Sequence, residues 1–303
     1  MRIFVAGHIT VDEIVFSSRT LVSLGGPPSY TGLTLYSLGV KPYAISAVGG
    51  DFPLNYWEFL REYVDLSHVS IVPGAETTRF KLVYNGERRE LYLLKRCVEI
   101  LSFPEGIEYI HVSPVAQEFS TEVLKKSYEF LSLDPQGYLR RFDERGKVVL
   151  FSNKELLKSL CSVNHFRVSL REAKALFGDS WFKYLRKLSA KGTVVSLGLG
   201  NRGVVVFCEK GEYYIPAYPT TAEQSTGAGD AYAGGFIYTY LTEEDVLWAS
   251  AVGCAAASLM VEKPGPHIID RNEVIERSHL IYSRHHRILS EEVLNKIAFI
   301  KVS

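Results

Sequence analysis

Six short apolar runs, at residues 2–6, 43–48, 109–112, 148–151, 166–168 and 193–197, alternate with helix-length segments along this chain. That alternation restricts it to an α/β fold in which a mostly parallel sheet is sandwiched by helices. Helical spacing is legible at 25–38, where Gly39 ends the segment, and at 54–62, 121–131, 170–177, 181–190 and 243–260. The length of 303 residues would allow two domains, but no internal repeat, low-complexity linker or clean boundary divides the chain. We therefore expect one domain over 1–303 with a small appendage.

The appendage is read from two segments that break the rhythm. Residues 77–83 and 88–95 are strand-like and flank Tyr84-Asn85-Gly86-Glu87, whose Asn-Gly pair is a strong hairpin signal. With the stretch near 10–20 they can form a small antiparallel sheet projecting from the main body. A plain surface hairpin is the simpler alternative.

Chemistry concentrates in Ser225-Thr226-Gly227-Ala228-Gly229-Asp230-Ala231-Tyr232-Ala233-Gly234-Gly235-Phe236. Gly227 and Gly229 let backbone approach an anion closely, and the first amides of a following helix are unsatisfied donors at the positive end of its dipole. A carboxylate beside such a hole suits a base that takes a proton from a hydroxyl while the amides hold the phosphate under attack. A tight turn with Asp230 as an ordinary first-turn acid explains the same residues equally well.

Several function classes are excluded. Lys plus Arg equals Asp plus Glu at 34 each, so nothing draws the whole protein to nucleic acid or an anionic membrane. The N-terminal apolar run lacks the length of a secretory core, and the small-apolar stretch 249–260 is too short to span a bilayer. Cys97, Cys161, Cys208 and Cys254 form no Cys-x-x-Cys pair and read as buried thiols of a reducing cytosol, which points to a cytoplasmic protein. Three glutamines and two methionines fit a thermophile's avoidance of labile side chains. Gly198-Leu199-Gly200-Asn201-Arg202-Gly203 has the form of a dinucleotide fingerprint, but Val204-Val205-Val206-Phe207 follows as a strand where a helix is required. Neither a P-loop nor the protein-kinase motifs occur.

The Thr226-Gly227-Ala228-Gly229-Asp230 motif resembles the signature of the ribokinase-like (PfkB-type) family of sugar and nucleoside kinases. Gly25-Gly26, Asp134-Pro135-Gln136, Glu172 and the 198–203 hairpin stand in the family's order, so the resemblance covers essentially the whole chain. It implies a ribokinase-like fold with a β-sheet lid formed by insertions near 10–20 and 77–95, and use of ATP and Mg2+. It also implies Asp230 as catalytic base, with Gly227, Ala228 and Gly229 amides forming the anion hole. Asp12 would bind acceptor hydroxyls, two carboxylate oxygens suiting a vicinal diol; Gly25 and Gly26 would admit a polyol to a helix start, and Gln136 would orient it. Donor contacts would come from Thr226, Gly227, Gly229, Gly200 and Gly203, with Gly198 in place of the family's Thr and Ser196 as the substitute hydroxyl. Gly253 and Ala256 would lie near adenine, although helix packing accounts for small residues there as well.

Glu172 matches the family's Asn-x-x-Glu acid, which orders magnesium through water, with Ser169 replacing the Asn; Ser169 and Glu172 also spell a helix capping box. Ser29 followed by Tyr30 departs from the usual Asn after Gly-Gly, and Gln224 stands where an Asp associated with potassium is common, so strong potassium activation is not expected. Arg140 is either a phosphate clamp or a structural residue. The Asp-x-Gln-Gly and Gly-Gly-x-x-x-Tyr forms are most like the archaeal myo-inositol 3-kinase branch. The resemblance thus implies γ-phosphoryl transfer from ATP to a polyol, myo-inositol first; ribose, fructose or a nucleoside is the alternative acceptor, and a non-catalytic sensor the alternative of another class. An exposed lid edge would let two subunits pair as a homodimer.

Overall fold

The structure, a computed structural model, describes residues 1–288 except 86, 87, 102 and 223, together with 292, 294 and 296. The chain opens with strands β1 (Ile3–Ala6), β2 (Thr10–Val15) and β3 (Thr20–Gly25), helix α1 (Pro27–Leu38), β4 (Tyr43–Gly49), α2 (Leu54–Tyr63), β5 (Asp65–Val72), β6 (Arg79–Asn85) and β7 (Arg88–Lys95). It continues with β8 (Tyr109–Val112), β9 (Phe130–Leu133), the hairpin β10 (Arg140–Phe142) and β11 (Val148–Leu150), α3 (Lys154–Ser159), β12 (His165–Ser169), α4 (Leu170–Phe177) and α5 (Trp181–Ser189). Strands β13 (Val194–Gly198), β14 (Gly203–Cys208) and β15 (Gly211–Pro216) precede α6 (Ala228–Glu243), α7 (Val246–Met260), α8 (Arg271–Tyr282) and β16 (His286–Ile288).

The main sheet has ten strands in the order β16-β15-β14-β13-β12-β9-β8-β1-β4-β5. The seven from β13 to β5 run parallel, and β14, β15 and β16 extend that sheet antiparallel at one edge. Fully buried strands such as Ile3–Ala6 and Phe130–Leu133 carry apolar residues on both faces, as a sheet covered on both sides requires. One face packs α4 and α5 through Leu176, Phe182 and Leu185; the other packs α1, α6 and α7 through Leu35, Phe236 and Ala255. Because β1, β8, β9, β12 and β13 are parallel, their carboxyl ends open at one edge of the sheet, where ligands of such folds bind.

A second sheet, in the order β3-β2-β6-β7, stands beyond that edge. It is mixed rather than antiparallel: β2 runs parallel to β6, while β3 and β7 flank them antiparallel. The chain leaves β2 through the tight return into β3, a strand absent from the sequence-based reading, so β2 meets β6 only as a long-range neighbour. The Asn-Gly turn expected between β6 and β7 includes Gly86 and Glu87, outside the described residues. The β7 edge is partly covered, since Leu93 donates its amide to Gly146 O at 2.7 Å and Tyr92 bridges to Lys147.

Four further expectations are corrected. Residues 121–131 are not a helix but one 3-10 turn, Thr121–Lys125, followed by β9; periodicity alone does not separate a short buried strand from a helical segment. The run 148–151 joins β10 in a separate two-stranded sheet and is absent from the main one. Helix 243–260 begins at Val246, because Glu244 turns left-handed at φ 56° and Asp245 caps the amides of Leu247 and Trp248. Of the four thiols, all free, Cys97 and Cys254 are buried and Cys208 is half-buried, but Cys161 is exposed in the surface turn after α3. No helix among the described residues is long and apolar enough to cross a membrane.

Candidate active site

Helix α6 presents its amino end to the cleft between the two sheets. Gly227 caps it at φ 85°, a left-handed conformation that glycine adopts without penalty. The first backward bond runs from Ala231 N to Gly227 O at 2.8 Å, so the amides of Ala228, Gly229 and Asp230 precede the helical ladder and remain available to an anion. A Cβ on Gly227 would lie 2.3 Å from the Tyr30 ring, and one on Gly229 would lie 2.3 Å from Arg167 Nη2 and push aside a guanidinium tied to Asp134. Thr31 on α1 ties down the same turn by donating to Asp230 O at 2.9 Å.

A cavity of about 200 Å³ opens beside this helix end. It gathers Asp12 and Thr10 from β2, Gly26 at the start of α1, Gln136 after β9, Glu172 from α4, and Thr226, Gly227, Gly229 and Asp230. Residues distant in sequence meet here because β1, β8, β9 and β12 deliver their following loops to one edge of the sheet. Gly25 passes so close to Asp12 that a Cβ would lie 2.2 Å from its Oδ2.

The electrostatics of the cavity are unusual for carboxylates. Desolvation, reinforced by the charge of Asp134, pushes Asp230 up to about 7 against the opposing pull of Arg167 and Arg140. Burial also raises Asp12 to about 6. Among the described residues Asp12 Oδ1 and Thr10 Oγ1 are buried without a hydrogen-bond partner, although the Thr10 hydroxyl and the Phe80 amide lie near enough to Asp12 to moderate its rise; ordered water or a ligand completes such groups in folded proteins. An Asp poised near neutrality beside unspent backbone donors can accept a proton from a hydroxyl.

Arg167, on β12, was missed in the sequence. It donates to Asp134 Oδ2 at 2.6 Å, lies against Gly229, and comes within 3.5 Å of a Cβ position on Gly198. Burial works against its charge, but Asp134 and Glu172 hold the guanidinium firmly protonated. The available signal was an arginine inside the otherwise buried run His165–Ser169. Tyr84 and Arg89 of the β6–β7 hairpin, which reach Thr226 at the edge of the site, gave no such signal because an exposed hairpin carries polar residues in any case.

Glu172 plays the capping-box role and leaves one carboxylate oxygen over. Its Oε2 accepts from Ser169 N at 2.9 Å and Ser169 Oγ at 2.6 Å, while among the described residues no hydrogen bond engages Oε1. A carboxylate oxygen unspent at the cavity wall fits a hydrated magnesium ion. Ser29 donates back to Gly25 O at 2.8 Å within its own helix turn, and Tyr30 takes the cavity position instead.

Other expected donor contacts do not converge on the cavity. Ser196 is 1 % exposed, and its hydroxyl is bonded to His165 Nε2 and to the Tyr232 hydroxyl, both at 2.9 Å, so it cannot substitute for the missing Thr. Gly200 and Gly203 form the turn between antiparallel β13 and β14, Gly198 alone of that loop adjoining Arg167. Gly253 and Ala256 lie in the α6–α7 interface, where a Cβ on Gly253 would come within 2.7 Å of Tyr232. Arg140 is spent on Val115 O at 2.9 Å and Gln136 Oε1 at 2.6 Å, so the phosphate-clamp alternative gives way to a structural one.

Residues 12–272 match the family model described as pfkB family carbohydrate kinase. A cytidine kinase from Thermococcus kodakarensis is 26% identical over 260 residues, 79% of this chain and 88% of that protein. An inositol 3-kinase from Arabidopsis thaliana is 26% identical over 280 residues, covering 87% and 75%. Among solved structures, a pyrophosphate-dependent kinase in the ribokinase family, complexed with a pyrophosphate analog and myo-inositol, superposes with a TM-score of 0.77 at 25% identity, over 91% of this chain and 99% of that one.

Proposed function

The chain belongs to the pfkB family of carbohydrate kinases and is a phosphotransferase with an alcohol group as acceptor, and we propose that it transfers the γ-phosphoryl group of ATP to one hydroxyl of a small polyol, myo-inositol first. The observation that carries this reading is the pair of orphaned buried oxygens, Asp12 Oδ1 and Thr10 Oγ1, in the same cavity as Asp230. Ring hydroxyls would satisfy both. A cavity near 200 Å³ falls below the roughly 300–1,000 Å³ of sites for drug-sized ligands and suits a single hydroxylated ring. The inositol kinase relative and the myo-inositol-bound neighbour support that choice.

In this mechanism Asp12 and Thr10 hold ring hydroxyls and set the attacking one against Asp230. The bond from that oxygen to the γ-phosphorus forms as the bond to the ADP oxygen breaks, and the proton passes to Asp230. Amides of Ala228, Gly229 and Asp230, with Arg167 beside them, oppose the charge spread over the transferring group. Magnesium, when bound, supplies charge neutralisation between the donor phosphates, and Glu172 Oε1 would order its waters.

A nucleoside acceptor is favoured by one feature, the apolar wall of Phe80, Leu82 and Leu91 beside the Tyr30 ring. Product formation with Mg2+ over a panel of myo-inositol, ribose, fructose, cytidine and adenosine, with ATP or pyrophosphate as donor and Asp230→Asn as control, separates the readings. Turnover of myo-inositol alone, abolished in the variant, is the expected result. Preference for a nucleoside moves the acceptor; failure to phosphorylate any acceptor while ATP still binds favours a sensor.

A further inference from the structure

The side-chain amide of Gln136 is held in one orientation. Its Oε1 accepts from Arg140 Nη2 at 2.6 Å, which turns its Nε2 toward Ser113 Oγ at 3.2 Å and Asp230 Oδ1 at 3.5 Å. A guanidinium has donors only, so the flipped amide would set N–H against N–H. Arg140 is fixed in turn. Its Nη1 donates to Val115 O at 2.9 Å, its guanidinium lies 5.6 Å from the centre of the Phe80 ring, and its carbonyl accepts from Gln117 Nε2 at 2.6 Å. Gln117 adopts φ 59°, a left-handed backbone uncommon for a residue other than glycine, so local strain is accepted where this arginine is anchored.

We infer that Arg140 is a positioning residue that locks Gln136 as a hydrogen-bond donor to the very oxygen Asp230 deprotonates. The inference rests on the role of Asp230 as base. The two contacts made by Nε2 lie at or beyond the long end of good hydrogen bonds, so an arriving hydroxyl can take that donor with little loss. Its oxygen then accepts from Gln136, its proton points to Asp230, and its remaining lone pair faces the phosphorus. With the amide flipped, Gln136 would offer an oxygen to the same hydroxyl and compete with the base for its proton.

The chain has only three glutamines, Gln117, Gln136 and Gln224, so heavy-nitrogen labelling of glutamine side chains gives three amide signals. The Gln136 signal is the one lost in Gln136→Glu. It should move in Arg140→Met and in Asp230→Asn, yet stay near its wild-type position in Arg140→Lys, whose ammonium still donates to Oε1. An unmoved signal in Arg140→Met, or equal displacement by Met and Lys, would overturn the lock. Should Arg140→Met not fold, a Gln136 signal unmoved in Asp230→Asn, or displaced as far in Arg140→Lys as in Asp230→Asn, overturns it instead. On whichever acceptor the wild type phosphorylates, Gln136→Glu should lower kcat about 100-fold, the scale of losing one preorganised donor, with the KM for donor nearly unchanged; undiminished kcat refutes the inference. A wild type without turnover on the panel would count against the acceptor reading, while the amide signals still decide the orientation.

Discussion

The hydroxyl of Tyr84, on strand β6 of the smaller sheet, lies 2.6 Å from the hydroxyl of Thr226, on the turn that leads into α6. Arg89, across the hairpin on β7, donates to the same Thr226 oxygen at 3.2 Å. The β6–β7 hairpin and the turn before α6 are therefore hydrogen-bonded to each other, and on the proposed mechanism loosening this link should let water reach the donor. Tyr84→Phe removes a contact of about 1 kcal/mol and keeps the ring, which stacks on Phe16. Donor hydrolysis in the absence of acceptor should rise severalfold as water enters, with a higher KM for the acceptor. An unchanged leak rate would show the two elements to be independent.

On the proposed mechanism Asp230 is needed as the anion. With its carboxyl raised to about 7, kcat/KM should fall about tenfold per pH unit below that value, and the lower value of about 6 for Asp12 should steepen the limb further down. A profile level from pH 8 to pH 5 would remove Asp230 from the base role. Asp230→Asn should lower kcat on the order of 10²- to 10⁴-fold at pH 8 with donor affinity retained.

The same carboxylate, once ionised, should weaken the fold. Its pKa is higher folded than the ordinary 3.8, so the folded state binds the proton more tightly, and stability is greatest below about pH 4 for this group. It declines as pH rises through about 7. Asp230→Asn should thus be more stable than wild type by on the order of 2–4 kcal/mol at pH 8, and denaturant titrations should show the advantage shrinking at pH 5. A variant less stable at pH 8 would contradict the desolvation argument.

The half-buried Arg167 pairs with Asp134, whose side chain is fully inaccessible. Arg167→Met should cost about 3–5 kcal/mol by leaving that charge uncompensated. Adding Asp134→Asn should recover much of the stability while turnover stays low, since the cation beside Gly229 is still missing. Recovery of both together would reduce Arg167 to a structural residue.

Gly253 tests packing against nucleotide contact. A methyl there meets Tyr232, and Gly253→Ala should destabilise by about 1–3 kcal/mol. If the position serves only the α6–α7 contact, the KM for ATP measured well below the melting temperature will not change; a selective rise in that KM would place adenine nearby.

Local chemistry in the sequence sufficed for much of this molecule. The runs 109–112 and 170–177 coincide with β8 and α4 to the residue, because a short apolar strand and a capped amphipathic helix are specified by their own side chains. The glycine turn into α6 was legible for the same reason: Gly227, Gly229 and the helix start lie within a few residues, and their backbone requirements are local. What was not legible depends on which strands become neighbours. The parallel β2–β6 pairing, β9 in place of a helix, the burial of Ser196 under Tyr232, and the Asp134–Arg167 pair all arise from contacts between segments far apart in the chain, where propensity carries no information. The raised carboxyl of Asp230 belongs to the same class. Its identity is written in the sequence, but its proton affinity is set by desolvation and by Asp134, Arg167 and Arg140, which only the closed tertiary structure brings to its side.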